Sequence, residues 1–190
     1  MVILFSMRVI AGEKRSIPLI SVRGNEVRPT TDKIKETLFN IIQFDVPGSK
    51  FLDLFAGSGA IGIEALSRGA THATFVDNNK EAIEVIKYNL EKTKLESLSD
   101  VFYMDYARFL LNFSKKDFIY DIVFMDPPYE SKLYLGALDQ LKSNEIINKS
   151  SIIIVEADKK DDEKDILDLG YEIYKEKIYK SNKHMFLRLK

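Results

Sequence analysis

Two hydrophobic periods alternate along this chain. Nearly unbroken apolar runs at 50–54, 73–76, 101–104, 120–125 and 151–157 are separated by stretches in which apolar residues recur at helical spacing, most clearly at 59–68, 79–94 and 107–113. Short runs with little polar relief predict strands buried on both faces, and the intervening period predicts helices. Within 79–94, Ala82, Ile83, Ile86 and Leu90 share one face, and Gly69 stands just past the 59–68 helix, where a left-handed residue ends one comfortably. Strand and helix in turn imply a mostly parallel sheet covered by helices on both sides.

Both ends depart from this rhythm. Tyr171–Tyr179 and His184–Lys190 are strand-like with no helix between them, which predicts a hairpin that adds an antiparallel strand. Near the front, 30–44 places Ile34, Leu38, Ile41 and Ile42 at helical spacing, with Thr30, Thr31 or Asp32 available to cap the first turn. Residues 7–28 hold short apolar stretches punctuated by Pro18 and Gly24, and carry Arg8, Lys14, Arg15, Arg23 and Arg28 against Glu13 and Glu26. The expected organisation is a basic N-terminal hairpin extension over 1–28 and a single α/β domain over 29–190.

Composition narrows the chemistry. Twenty-eight Lys and Arg against twenty-nine Asp and Glu give a formal charge of -1, which excludes wholesale nucleic-acid binding by net charge but not a local basic patch. With no Cys there are no disulfides, thiol nucleophiles or thiolate metal sites, and two isolated histidines make no zinc centre, so no metal is expected. His72 is expected in an exposed 69–74 loop and His184 in a terminal strand. The acid-rich stretch 156–168, interleaved with Lys159, Lys160 and Lys164, reads as a solvated helix face. The apolar start at 1–5 is far below membrane-spanning length and lacks a signal-peptide pattern, so a cytoplasmic protein, expected as a monomer, is the reading. Catalysis is left to carboxylates, backbone groups, aromatics or a bound cofactor.

Phe51-Leu-Asp53-Leu-Phe55-Ala-Gly57-Ser-Gly59-Ala-Ile-Gly62 sets a glycine-rich turn between a strand and a helix. Such a turn lets backbone N–H groups approach a ligand closely. Formally it is a dinucleotide fingerprint, and Asp77 at the end of the next strand has the spacing of an acid that binds ribose hydroxyls. Asp53 argues against that ligand: a carboxylate just before the loop repels a pyrophosphate and favours a cofactor with an ammonium and a sulfonium, and S-adenosylmethionine is of that kind. Farther on, Asp126-Pro127-Pro128-Tyr129 directly follows a buried strand. The Asp126 side chain and the Pro127 carbonyl present two acceptors to one amino group, and Tyr129 offers a flat face on which a base can stack.

These motifs resemble known ones. Asp53 to Gly59 is similar to the first motif of class I S-adenosylmethionine-dependent methyltransferases, and Asp126 to Tyr129 to the fourth motif of those that modify exocyclic amines of bases. Together with Met7-Arg-Val-Ile-Ala-Gly and Arg28-Pro-Thr-Thr-Asp-Lys-Ile-Lys-Glu-Thr-Leu-Phe-Asn, they resemble the bacterial 16S ribosomal RNA guanine-N2 methyltransferase family over nearly the whole chain from Met7. The resemblance implies a Rossmann-like class I methyltransferase fold with a mostly parallel seven-stranded sheet, a C-terminal antiparallel hairpin and a small N-terminal β-hairpin. It implies Asp126, Pro127 and Tyr129 as catalytic residues. It implies cofactor contacts from Arg28, Thr30, Asp53, Phe55, Gly57, Gly59, Asp77, Asn78, Asp105 and Tyr106, although an acid in the position of Asp105 is also a common helix cap. Arg8, Lys14, Arg15 and Arg23 become an RNA phosphate clamp, and 16S rRNA or an assembling small subunit becomes the partner. Two departures stand out: the last hairpin reads Tyr179-Lys-Ser where relatives often have a glycine turn, and six residues precede Met7. Adenine N6 methylation in DNA or RNA is the alternative with the same fold. A nicotinamide-dependent oxidoreductase and a non-catalytic RNA-binding module are the competitors from other classes.

Overall fold

A computed structural model describes residues 5–22, 32–113, 118–128 and 132–190. Strands β3 (Lys50–Leu54), β4 (His72–Asp77), β5 (Ser99–Tyr103), β6 (Ile122–Met125), β7 (Ile152–Asp158), β8 (Tyr171–Ile178) and β9 (Asn182–Leu189) form one sheet in the order β5-β4-β3-β6-β7-β9-β8. The first five are mutually parallel, and β9 runs antiparallel between β7 and β8. This is the seven-stranded arrangement with a C-terminal antiparallel hairpin expected from the sequence. The hairpin closes through Lys180 and Ser181 without a glycine, Tyr179 N–H donating to the Asn182 carbonyl at 2.8 Å.

The alternation of side chains along each strand sorts the core into two layers. One face of the sheet, with Phe51, Phe75, Phe124 and Ile154, meets α1 (Asp32–Ile41), α2 (Ala60–Ser67) and α3 (Lys80–Thr93) through residues such as Phe39, Ile63 and Ile86. The other, with Leu52, Val123 and Val155, meets α4 (Tyr106–Asn112), α5 (Leu133–Ser143) and α6 (Lys164–Asp168) through Phe109, Leu138 and Ile166. None of the helices in the described residues is long and apolar enough to cross a membrane.

The N-terminal hairpin, β1 (Phe5–Arg8) with β2 (Pro18–Ile20), is fastened to the body by polar contacts. Glu64 of α2, fully buried, accepts the backbone N–H groups of Ile10 at 2.8 Å and Ala11 at 3.0 Å, and pairs with Lys35 of α1 and Arg68. Ser67 accepts from Lys14 N–H and donates to the Ala11 carbonyl.

Two sequence expectations need correction. His72 opens β4 rather than lying in a loop: parallel pairing aligns it with Lys50, and its ring stands 3.0 Å from Asp100 and edge-on to Phe118. Only Lys164–Asp168 of the acid-rich stretch is helix, and Glu156 is not on a solvated face. It sits in β7, where Asn182 donates to it and His184 Nε2 lies 3.0 Å away, both from β9. Those donors make burial of the carboxylate tolerable.

Candidate active site

Strand order reverses at β3 and β6, the place where open α/β sheets leave a crevice outside their carboxyl ends. In-register pairing of Leu54 with Met125 brings the two strand ends side by side. The glycine loop leaves β3 there and Asp126 leaves β6, so the two motifs meet at one edge although more than sixty residues separate them.

The loop is strongly shaped. Phe55 has φ 86°, a left-handed conformation unusual for a bulky residue, held because the N–H groups of Phe55 and Ala56 both donate to the Val76 carbonyl at 3.0 Å. Gly57 also has positive φ, and a Cβ there would project into open space, so the backbone is left bare on that side. Gly62 serves packing instead: a Cβ on it would come within 2.3 Å of the Phe75 ring. Gly59 caps α2 in a left-handed conformation.

Two carboxylates brace the loop from below. Asp77, at the end of β4 and partly exposed, accepts from Gly57 N–H at 2.8 Å and from Asn79 N–H at 2.8 Å. Asp53 is buried and accepts from Gly62 N–H at 2.9 Å. Burial, helped by the nearby Asp77 charge and opposed by the Gly62 hydrogen bond, pushes the Asp53 carboxyl up to about 8. Asn78 is exposed beside them.

Beyond β5, Asp105 accepts from Ala107 N–H at 2.8 Å and so is the N-cap of α4. Tyr106 follows it, its ring 5.1 Å from that of Phe55. Asp126 is half-buried and Pro127 buried at the end of β6. Arg8 and Lys14 lie on the hairpin, paired with Asp32 and Glu13, and Arg15 is exposed. Arg23, Arg28, Thr30 and Tyr129 lie outside the described residues. Among the described residues no group of three or more His, Asp or Glu side chains is placed to hold a metal ion. The reading of the sequence passed over two buried polar residues, Glu64 and Asn89, and misplaced a third, Glu156. Asn89 was detectable as a polar residue at the helical spacing of Ile86 and Leu90.

The profile of a family described as Conserved hypothetical protein 95 matches residues 7–188. The chain is similar to a putative rRNA methyltransferase, YlbH, of Bacillus subtilis, 40% identical over 153 residues that cover 80% of this chain and 83% of that protein. It is 36% identical over 163 residues to the ribosomal RNA small subunit methyltransferase D of Haemophilus influenzae, covering 80% of this chain and 79% of that one. Among solved structures, the putative methyltransferase yhhF from Escherichia coli superposes with a TM-score of 0.83 at 29% identity, over 97% of this chain and 98% of that chain.

Proposed function

From the premise that this chain belongs to the Conserved hypothetical protein 95 family, with relatives named as small-subunit rRNA methyltransferases, we infer that it is an S-adenosylmethionine-dependent rRNA methyltransferase acting on the exocyclic N2 amine of a guanine in 16S rRNA. The observation that carries this reading is the meeting of the glycine loop with Asp126 and Pro127 at the reversal of strand order. It joins a cofactor cradle to a pair of amine acceptors.

The residues present fit S-adenosylmethionine. Bare backbone at Gly57, a carboxylate at Asp77 on the ribose side and an acid at Asp53 suit a ligand that is cationic and carries a diol. Asn78, Asp105 and Tyr106 border the adenine side, and Phe55 stands against Tyr106. Arg28 and Thr30 belong with this group by sequence. The bound cofactor supplies an electrophilic methyl group.

The protein must make a poor nucleophile attack. An exocyclic amine delocalises its lone pair into the purine ring. Hydrogen bonds from its two protons to the Asp126 carboxylate and the Pro127 carbonyl favour a more tetrahedral nitrogen and aim the lone pair. Tyr129 supplies the stacking face, and Asp126 takes the proton released. The base has to leave its stack to reach this edge, so an unpaired or flipped guanine is the substrate. Arg8, Lys14, Arg15 and Arg23, on the 1–28 extension, hold the phosphates, with the 29–190 domain carrying the chemistry in the cytoplasm.

Mass spectrometry of nucleosides from 16S rRNA incubated with enzyme and labelled cofactor tests the reading. N2-methylguanosine is the expected product, and N6-methyladenosine or no labelled nucleoside would overturn it.

The buried acid predicts a pH dependence. Below about 8, Asp53 holds a proton in the free protein, and a cationic ligand favours the ionised form. Binding then releases a proton, so affinity for S-adenosylmethionine rises as pH climbs toward about 8, by up to about tenfold per unit, and levels off above. Calorimetric titration of Asp53→Asn is expected to show a flat profile. A slope equal to that of the unmodified protein would assign the proton elsewhere.

A further inference from the structure

Asn89 of α3 is fully buried and is used by neither the core nor the proposed chemistry. Its carboxamide touches two distant parts of the chain at once. Oδ1 accepts from Ile20 N–H at 2.9 Å, and Nδ2 donates to the Ile20 carbonyl at 3.0 Å. The same Nδ2 donates to the Ser58 carbonyl at 2.9 Å. Ile20 ends β2 of the basic hairpin, and Ser58 lies between Gly57 and Gly59 in the cofactor loop. One rigid side chain therefore sets the hairpin and the loop against each other.

The surroundings leave this amide little freedom. Val22, just past β2, packs on Ala82 and Val85 of α3, so the end of the hairpin lies along that helix. Gly59 approaches Ile86, one turn before Leu90 on the same helix. Next to Ser58, Gly57 N–H is bound to Asp77. A ligand that pulls on Asp77 and the Gly57 backbone thus acts on a carbonyl whose only bond among those described leads to Asn89, and from there to both backbone groups of Ile20. The Asn89 amide is itself sealed from solvent although its partners are half-buried, so a lost bond at one end leaves a buried polar group unpaired and a shift there is felt at the other.

We propose that Asn89 is a positioning residue that links cofactor binding in the glycine loop to the register of the RNA-facing hairpin. The proposal rests on the reading of that hairpin as an RNA contact surface. Cofactor and RNA then bind with mutual reinforcement. Reciprocity requires that each tighten the other by the same factor, and couplings of this kind are commonly about five-fold or more.

Polarisation titrations of 16S rRNA, with and without saturating S-adenosylhomocysteine, measure the coupling. The expected factor is at least about five in the unmodified protein and about one in Asn89→Ala. Arg15→Glu is the comparison: it is expected to weaken RNA binding in both states while keeping the factor. A factor of one in the unmodified protein, or an unchanged factor in Asn89→Ala, would overturn the proposal. If Arg15→Glu leaves RNA binding intact, the hairpin is not the RNA surface, and that failure is separate. Hydrogen exchange on the unmodified protein needs neither RNA nor the variant. Adding S-adenosylhomocysteine alone is expected to slow exchange at the Ile20 amide at least about threefold, on the scale of a modest change in local opening. An unchanged rate there refutes the link even where Asn89→Ala fails to fold.

Discussion

Asp126→Ala is expected to lower methyl transfer to 16S rRNA by at least about a thousand-fold, or about 4 kcal/mol of barrier, with affinity for S-adenosylmethionine changed by less than about twofold. The separation follows from the geometry. The cofactor's proposed contacts leave β3, β4 and β5, whereas Asp126 leaves β6 on the other side of the strand-order reversal. On the proposed reading its carboxylate addresses the base and has little to lose on the cofactor side. Asp126→Asn divides the role further. The amide oxygen still accepts one amine N–H, so orientation survives, but an amide is too weak a base to take the proton. An intermediate loss of about a hundredfold is expected, the lower end of a single general-base contribution. Single-turnover transfer from labelled cofactor gives the rates, and calorimetry the affinities. Loss of cofactor binding in parallel with turnover would remove Asp126 from the base pocket, and Asp126→Asn at the rate of Asp126→Ala would make acceptor geometry irrelevant.

The order of strands and helices up to β6 was legible because runs such as 73–76 and 120–125 are nearly all apolar and 79–94 has one clear apolar face, whereas α5, between β6 and β7, was not read from the sequence. The meeting of Asp53–Gly59 with Asp126 was legible too, since both motifs follow such strands and ligands gather at carboxyl ends. What escaped was everything set by register or by backbone partners. His72 reads as loop beside Gly69, yet pairing with Lys50 draws it into β4. Glu156 belongs to an apolar strand and to an acidic run at the same time, and the donors that settle the matter, Asn182 and His184, come from a strand 26 residues and more away. Phe55 carries no local sign of its left-handed backbone, because the Val76 carbonyl that holds it is on another strand. Asn89 stood out as a polar residue on an apolar helix face, but what it and Glu64 anchor was hidden for a related reason. Much of what they hold is main chain, and main-chain groups have no letter in the sequence.

Glu64 is where that hidden class of contact has its greatest mechanical weight, and Glu64→Ala is expected to lower the melting temperature by about 10 °C. The carboxylate stands between the Lys35 ammonium at 3.3 Å and the Arg68 guanidinium at 2.8 Å, and it terminates two hairpin N–H groups. Removing it strands the buried Lys35 ammonium and leaves the partly buried Arg68 guanidinium and two hairpin N–H groups without their acceptor, a loss of about 3–5 kcal/mol, and about 2–4 °C accompanies each kcal/mol in a chain of this size. Lys35→Met should be much milder. Burial already lowers the proton affinity of Lys35, with Glu64 opposing, and Glu64 would keep Arg68 and both N–H groups. The asymmetry has a functional reading as well. Lys35 donates to the Arg8 carbonyl at 2.6 Å, and Glu64 holds the next turn of chain at Ile10 and Ala11, so the carboxylate fixes the hairpin that carries Arg8, Lys14 and Arg15. Glu64→Ala should therefore speed tryptic cleavage at Arg15 before global unfolding, and weaken 16S rRNA binding more than S-adenosylmethionine binding. A melting temperature within about 2 °C of the unmodified protein, less than 1 kcal/mol on that scale, would show that the hairpin is held without Glu64, by its apolar contacts at Val9 and Leu19 and its bonds to Ser67 and Asn89.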